Sequence, residues 1–90
     1  MLESFQKNKK GILRIPFQQI YYLEAREKKV FVRTQIEEIS ISETLEKMTE
    51  KMPSNFIRCH RSFIVNTDQI MQVSLNENML YLKDGMIVPF

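Results

Sequence analysis

Arg58, Cys59, His60 and Arg61 stand side by side in "NFIRCHRSFIVN", between two apolar runs. A thiol, an imidazole and two guanidiniums in a row suit three kinds of chemistry: metal binding, nucleophilic catalysis or anion recognition. Zinc needs about four thiolate, imidazole or carboxylate ligands, usually as spaced pairs. With one Cys and one His in the whole chain, an intramolecular structural zinc site has no second pair to draw on. A Cys-His nucleophile needs the imidazole within reach of the thiol proton and a third group to orient it. Neighbours on an extended strand point to opposite faces, so Cys59 and His60 aim apart. The flanking arginines would lower the thiol pKa, but geometry stands against the pair.

A packing role and an anion-contact role remain. Ile57, Cys59, Phe63 and Val65 share parity, so an apolar row is expected to run through the stretch with Cys59 as a small core residue. Arg61 is the intruder in that row, and the chain is expected to turn or surface at His60-Arg61. A residue at such a bend can enter a nucleic-acid groove. Arg is a rigid fork of donors that pairs bidentately with guanine or phosphate, and a neutral His offers one donor and one acceptor.

The elements that position this bend read mostly in period two. "GILRIPFQQIYYLEA" has apolar stretches around Ile12 to Ile15 and Ile20 to Leu23, and "KKVFVRT" alternates β-branched and aromatic residues. "IEEISI" at 36–41 is expected as a further strand, and "REKK" at 26–29 as the short hairpin loop between two strands. After residue 55 come "FIRCHRSFIV", "QIMQVSL", "MLYLK" and "MIVPF", with turns at Asn66 to Asp68, Asn76 to Asn78 and Asp84-Gly85. Asp-Gly between alternating apolar runs is a strong hairpin signal. One amphipathic helix of about three turns is expected between them. Ser40 with Glu43 reads as a capping box, Ile41, Leu45, Met48 and Met52 share a helical face, Glu43 to Lys47 is an i,i+4 pair, and Pro53 ends it. The fold class is therefore mainly β: antiparallel sheets with one short amphipathic helix.

Length and composition bound the rest. Ninety residues make one domain or a fragment of one, and 43% hydrophobic with 27% charged residues is ordinary globular composition. The net charge of +2 does not by itself announce a nucleic-acid partner, although the basic residues and the cluster Glu43, Glu46 and Glu50 are unevenly placed. A single Cys and the absence of a signal-type segment make a reducing, cytoplasmic setting the expectation, and no apolar run is long enough to span a membrane.

"FIRCHRSFIVNTDQI" resembles the signature of the LytTR DNA-binding domain family: apolar pair, Arg, variable residue, His-Arg-Ser, aromatic, apolar-Val-Asn, linker and Ile. "IPFQQIYYLEA" is similar to that family's Ile-Pro-x-x-x-Ile-x-Tyr-Ile-Glu-Ala segment, Ser42 to Met52 to its Leu-rich helix ending at Pro, and "LYLKDGMIVPF" to its Gly-containing hairpin. The resemblance covers residues 5–90 in the right order. It implies an elongated, mainly antiparallel β fold whose loops enter major grooves, no cofactor and no catalysis. It also implies double-stranded DNA with promoter repeats as partner, a homodimer on that DNA, and a receiver domain or sensor kinase of a two-component system. Carried over by position, His60 and Arg61 fall on the family's DNA-contacting loop, and Arg26, Lys28 and Lys29 on a hairpin loop that also reaches DNA. The chain is expected as one domain, 1–90, that ends before the family's C-terminal Ser-Arg step and helical segment.

Other residues have plainer expectations. At least one of Tyr21 and Tyr22 should be core, as should Phe56, Phe63, Ile64 and Val65, while Asn66 should form a turn. Lys7, Lys9 and Lys10 read as a solvated arm or extra phosphate contacts. Two rivals to DNA binding stay open: a basic β domain that binds a protein or anionic ligand, and a Cys-His enzyme.

Overall fold

Wherever the sequence alternates, the chain runs extended. The structure is a computed structural model and describes residues 3–8 and 11–90, with side chains from Ile15 onward. The basic residues Lys7, Lys9 and Lys10 therefore lie outside the described side chains. Among the described residues are ten strands and one α-helix: β1 (Glu3–Asn8), β2 (Gly11–Pro16), β3 (Ile20–Arg26), β4 (Lys29–Thr34), β5 (Glu38–Ile41), α1 (Leu45–Lys51), β6 (Phe56–His60), β7 (Phe63–Asn66), β8 (Ile70–Ser74), β9 (Met79–Leu82) and β10 (Ile87–Pro89). All pairings are antiparallel: a β1-β2 ribbon, a five-stranded sheet in the order β5-β4-β3-β7-β6, and a three-stranded sheet in the order β10-β9-β8. The molecule measures 41 × 27 × 23 Å, so it is elongated.

The five-stranded sheet is buried along one face and, over β3 and β7, on the other as well, and alternation decides which residue goes where. Leu23, Val30, Val32, Ile39, Ile41 and Ile64 lie on one face beneath Leu45 and Met48 of α1. Tyr21 and Val65 on the other face meet Leu80, Leu82 and Val88 of the three-stranded sheet. Fully burying an aliphatic side chain of this size contributes roughly 1.5–3 kcal/mol, so these two layers are what holds the strands together. Tyr21 and Tyr22 break strict alternation because the β3-β4 register slips between Ile20 and Tyr22. That irregularity turns both rings toward the second cluster.

The helix starts later and is shorter than the capping-box reading predicts. Thr44, not Ser40, is the N-cap, its hydroxyl accepting from the Lys47 amide at 3.2 Å. Ser40 and Ile41 belong to β5, where Ile41 pairs with Val30 and is buried. A β-branched residue completing an apolar row gains more in the sheet than in an extra helical turn, and Thr44 supplies an equivalent cap. Glu43 then precedes the helix, outside i,i+4 geometry, and its partner is Lys51 at 3.0 Å instead of Lys47. The expected strand over 36–41 is likewise confined to Glu38–Ile41.

The remaining turns form where expected. Asn66 caps a 3-10 turn over Thr67–Gln69, with its side chain accepting from the Asp68 amide at 3.0 Å. Asp84 and Gly85 both adopt positive φ, 61° and 77°, in the connection between β9 and β10.

Candidate nucleic-acid interface

Two hairpins of the five-stranded sheet end side by side. The first, β3-β4, closes through Glu27 and Lys28, with Arg26 and Lys29 as the last paired residues. Both turn residues have positive φ, 50° and 67°, the geometry that a two-residue hairpin turn matched to strand twist demands. Asn-Gly or Asp-Gly adopts this geometry readily; a Lys there carries roughly 1 kcal/mol of backbone strain. The "REKK" loop is therefore a tight turn whose Lys28 side chain is held out at its tip.

The second hairpin, β6-β7, carries the cluster of reactive residues. Its register shifts by one residue between Arg58 and His60, which makes Cys59 a bulge. The expected row nonetheless keeps one face: Cys59, Phe63 and Val65 pack in the second cluster, and Ile57 pairs directly opposite Val65. Ile57 is 51% exposed on an edge strand, whereas Val65 is buried between the sheets. His60 is the last paired residue, opposite Phe63, and the chain turns at Arg61 and Ser62.

This turn is built by side chains as much as by main chain. Arg58 donates from Nε to the His60 carbonyl at 3.1 Å and from Nη2 to the Arg61 carbonyl at 2.5 Å. The Ser62 amide donates to His60 Nδ1 at 3.1 Å, and the imidazole packs edge-on against Phe63. With Nδ1 accepting, neutral His60 carries its proton on Nε2 and presents that N–H as a donor. The Ala25 amide donates to the Ser62 carbonyl at 2.9 Å, fastening the second turn to the stem of the first.

Between the two turns and the start of α1 lies a depression of about 330 Å³. Lys28, Lys29, Arg58 and Arg61 line it together with Glu43 and Glu46. The sequence-predicted residues Lys28, Lys29 and Arg61 are thus brought together, with His60 on the adjoining turn. Arg26 is set apart. Its guanidinium sits 2.6 Å from Glu38 and 3.4 Å from Glu24, above the Phe31 ring at 3.9 Å from the centroid. The hydrogen bond to Glu38, first of all, holds its pKa above the ordinary Arg value.

Cys59 is half-buried, its Sγ 3.4 Å from the Pro89 carbonyl of β10. Desolvation by burial pushes the thiol pKa up, the opposite of an activated nucleophile. The thiol faces main-chain carbonyls while His60 Nδ1 is taken by Ser62, so the two groups make no catalytic pair in this geometry. Among the described residues no three His, Cys, Asp or Glu side chains gather as metal ligands, and no helix is long and apolar enough to cross a membrane. The sequence reading named Arg58 in the cluster without assigning it a role, and did not single out Ser62. Only the run of polar residues around the bend pointed to them, and it assigned neither a partner.

Comparison with known proteins identifies the family of the fold. Residues 10–90 match the family model for the LytTr DNA-binding domain. The chain is 40% identical over 77 residues to the transcriptional regulatory protein YpdB of Escherichia coli, covering 81% of this chain and 32% of that protein. It is 35% identical over 83 residues to the sensory transduction protein LytT of Bacillus subtilis, covering 88% of this chain and 34% of that one. Among solved structures it is similar to the LytTr DNA-binding domain of a methyl-accepting/DNA response regulator from Bacillus cereus, with a TM-score of 0.85 and 31% identity. That match covers 99% of this chain and 85% of the other. The chain spans about a third of the length of the curated relatives it matches.

Proposed function

Because the chain belongs to the LytTr DNA-binding domain family, we propose that its two fastened hairpin turns dock into the major groove of duplex DNA. His60 and Arg61 address base edges, and Lys28 and Lys29 address phosphates. Arg61 brings a rigid fork that matches guanine O6 and N7, and His60 brings an Nε2–H donor for purine N7 or a carbonyl oxygen. Arg26 secures the base of its hairpin through Glu24 and Glu38. Cys59 and His60 serve binding and packing without catalysis.

The observation that carries this reading is the Ala25 to Ser62 hydrogen bond, which fixes the spacing of the two basic turns. Free turns would lose conformational entropy on docking; turns already joined lose less. The wider assembly is part of the proposal: an output domain of a transcriptional regulator of two-component type, following a receiver segment and pairing as a dimer on promoter repeats.

The test is electrophoretic retardation of duplexes that the domain itself selects from a randomised pool, over a range of salt. Affinity should fall steeply and linearly in log-log form as counterions are released. A His60→Ala, Arg61→Ala double variant that bound those duplexes as tightly as wild type would end the reading.

A further inference from the structure

We infer that Arg58 is a positioning residue of the DNA-reading turn and not one of its DNA contacts, an inference that rests on the function proposed above. The Cys59 bulge leaves the tip of the β6-β7 hairpin short of ladder bonds, with the His60 and Arg61 carbonyls at the turn. Arg58 takes both, one with Nε and one with Nη2. The two donors on one edge of a planar guanidinium have the fixed separation that this pair of carbonyls needs. Arg58 also lines the depression with Lys28, Lys29 and Arg61.

The clamp acts through its neighbours. Fixing the His60 and Arg61 carbonyls fixes the peptide planes on either side of the Arg61 Cα, and so the direction in which the Arg61 side chain leaves the turn. It also holds the Ser62 amide against His60 Nδ1, which keeps the imidazole proton on the outward nitrogen. Without the fork both reading side chains stay charged or polar as before but lose their shared orientation. Base discrimination depends on that orientation; phosphate attraction does not.

Arg58→Lys separates the two roles, because it keeps the charge while replacing the fork with a flexible point donor. The expected result is a loss of roughly tenfold in affinity for the selected duplex. Affinity for a scrambled duplex of equal length, and the salt dependence of both, should be unchanged. Partial unfolding would weaken both duplexes alike, so the ratio reports orientation and not folding. In the free domain, hydrogen exchange of the Ser62 amide should quicken in the Lys variant.

Equal binding of the selected duplex by wild type and Arg58→Lys would overturn the inference, as would equal losses on both duplexes. Unchanged Ser62 exchange in the free domain would overturn it whatever the DNA result. Failure of the wild-type domain to prefer the selected duplex would instead strike the DNA reading, leaving the clamp to be judged on exchange alone.

Discussion

The Ala25 amide donates to the Ser62 carbonyl at 2.9 Å, joining the stem of one hairpin to the turn of another. Both residues are polar only through their main chain at this contact, so neither side chain announces it. The bond extends the β3-β7 pairing past Glu24-Phe63 into the turn itself. Two basic turns 33 residues apart in sequence, Lys28 and Arg61, thereby act as one surface.

Lys28 shows stability and binding pulling in opposite directions. At φ 67° a Gly would relieve the backbone, so Lys28→Gly should gain about 0.5 kcal/mol after allowing for the flexibility of Gly in the unfolded chain. The same change removes a cation from the groove and should lower the slope of log affinity against log salt by about one. Urea unfolding and a salt series of retardation assays read the two effects. A variant that lost stability, or kept the full slope, would show that Lys28 does not occupy the tip as a phosphate contact.

Arg26 should behave differently from the lysines beside it. Its guanidinium already bridges Glu38 and Glu24 and covers Phe31, but it is partly exposed, so the pairs are screened. Arg26→Ala is expected to cost about 1 kcal/mol of stability through lost ion pairing and cation–π contact. The DNA salt slope should stay at the wild-type value, since the side chain engages carboxylates of its own sheet. A slope lowered by about one would place Arg26 among the phosphate contacts after all.

The layers of the sheet were legible because burial has the period of the strand. Val30 and Val32 could be assigned to one face of their strand by alternation alone, whereas their sharing that face with Leu23 and Ile64 follows only from the strand pairing. The start of α1 was not, because Ser40 and Thr44 are equally good caps and Ile41 suits a helical face or a strand row. Only the pairing of Ile41 with Val30, eleven residues away, decides between them. The Cys59 bulge left no mark either, since one extra residue in a β-strand needs no Gly or Pro, and neither did the edge position of β6, which leaves Ile57 exposed although it pairs with Val65. Lys28, Lys29, His60 and Arg61 were legible as candidates through their match to a family motif. The role of Arg58 was not, because it depends on two carbonyls whose positions exist only once the turn has closed.

Asn66 is the polar residue on which the second hairpin most depends. It is buried, donates from Nδ2 to the Ile20 carbonyl at 2.9 Å, and accepts at Oδ1 from Asn55 at 2.9 Å and the Asp68 amide at 3.0 Å. Asn66→Ala leaves the buried Ile20 carbonyl without its donor and the partly buried Asp68 amide without its acceptor, and should cost about 3 kcal/mol. Asn66→Asp keeps the shape but loses the donor to Ile20, and it should be no milder. A midpoint of urea denaturation within error of wild type for either variant would show that the network is dispensable.

Tyr21 makes stability depend on alkaline pH in a direction that can be worked out. Its hydroxyl donates to the Asp84 carboxylate, tying β3 to the β9-β10 connection. That hydrogen bond first, then burial and the Asp84 charge, raises the phenol pKa above its usual 10.0. The folded state therefore holds this proton to higher pH than the unfolded chain does. Its stabilisation is complete below pH 10 and is lost as pH rises through the folded value. Tyr21→Phe should cost about 1 kcal/mol at neutral pH, a figure kept low because the hydroxyl reaches an exposed carboxylate. Tyr22 and Tyr81 are shifted in the same direction, so the variant should still weaken in alkali, only less steeply than wild type. Urea unfolding from neutral pH to beyond pH 10 measures the difference. Parallel curves for the two proteins would mean that Tyr21 does not hold the hairpin through Asp84.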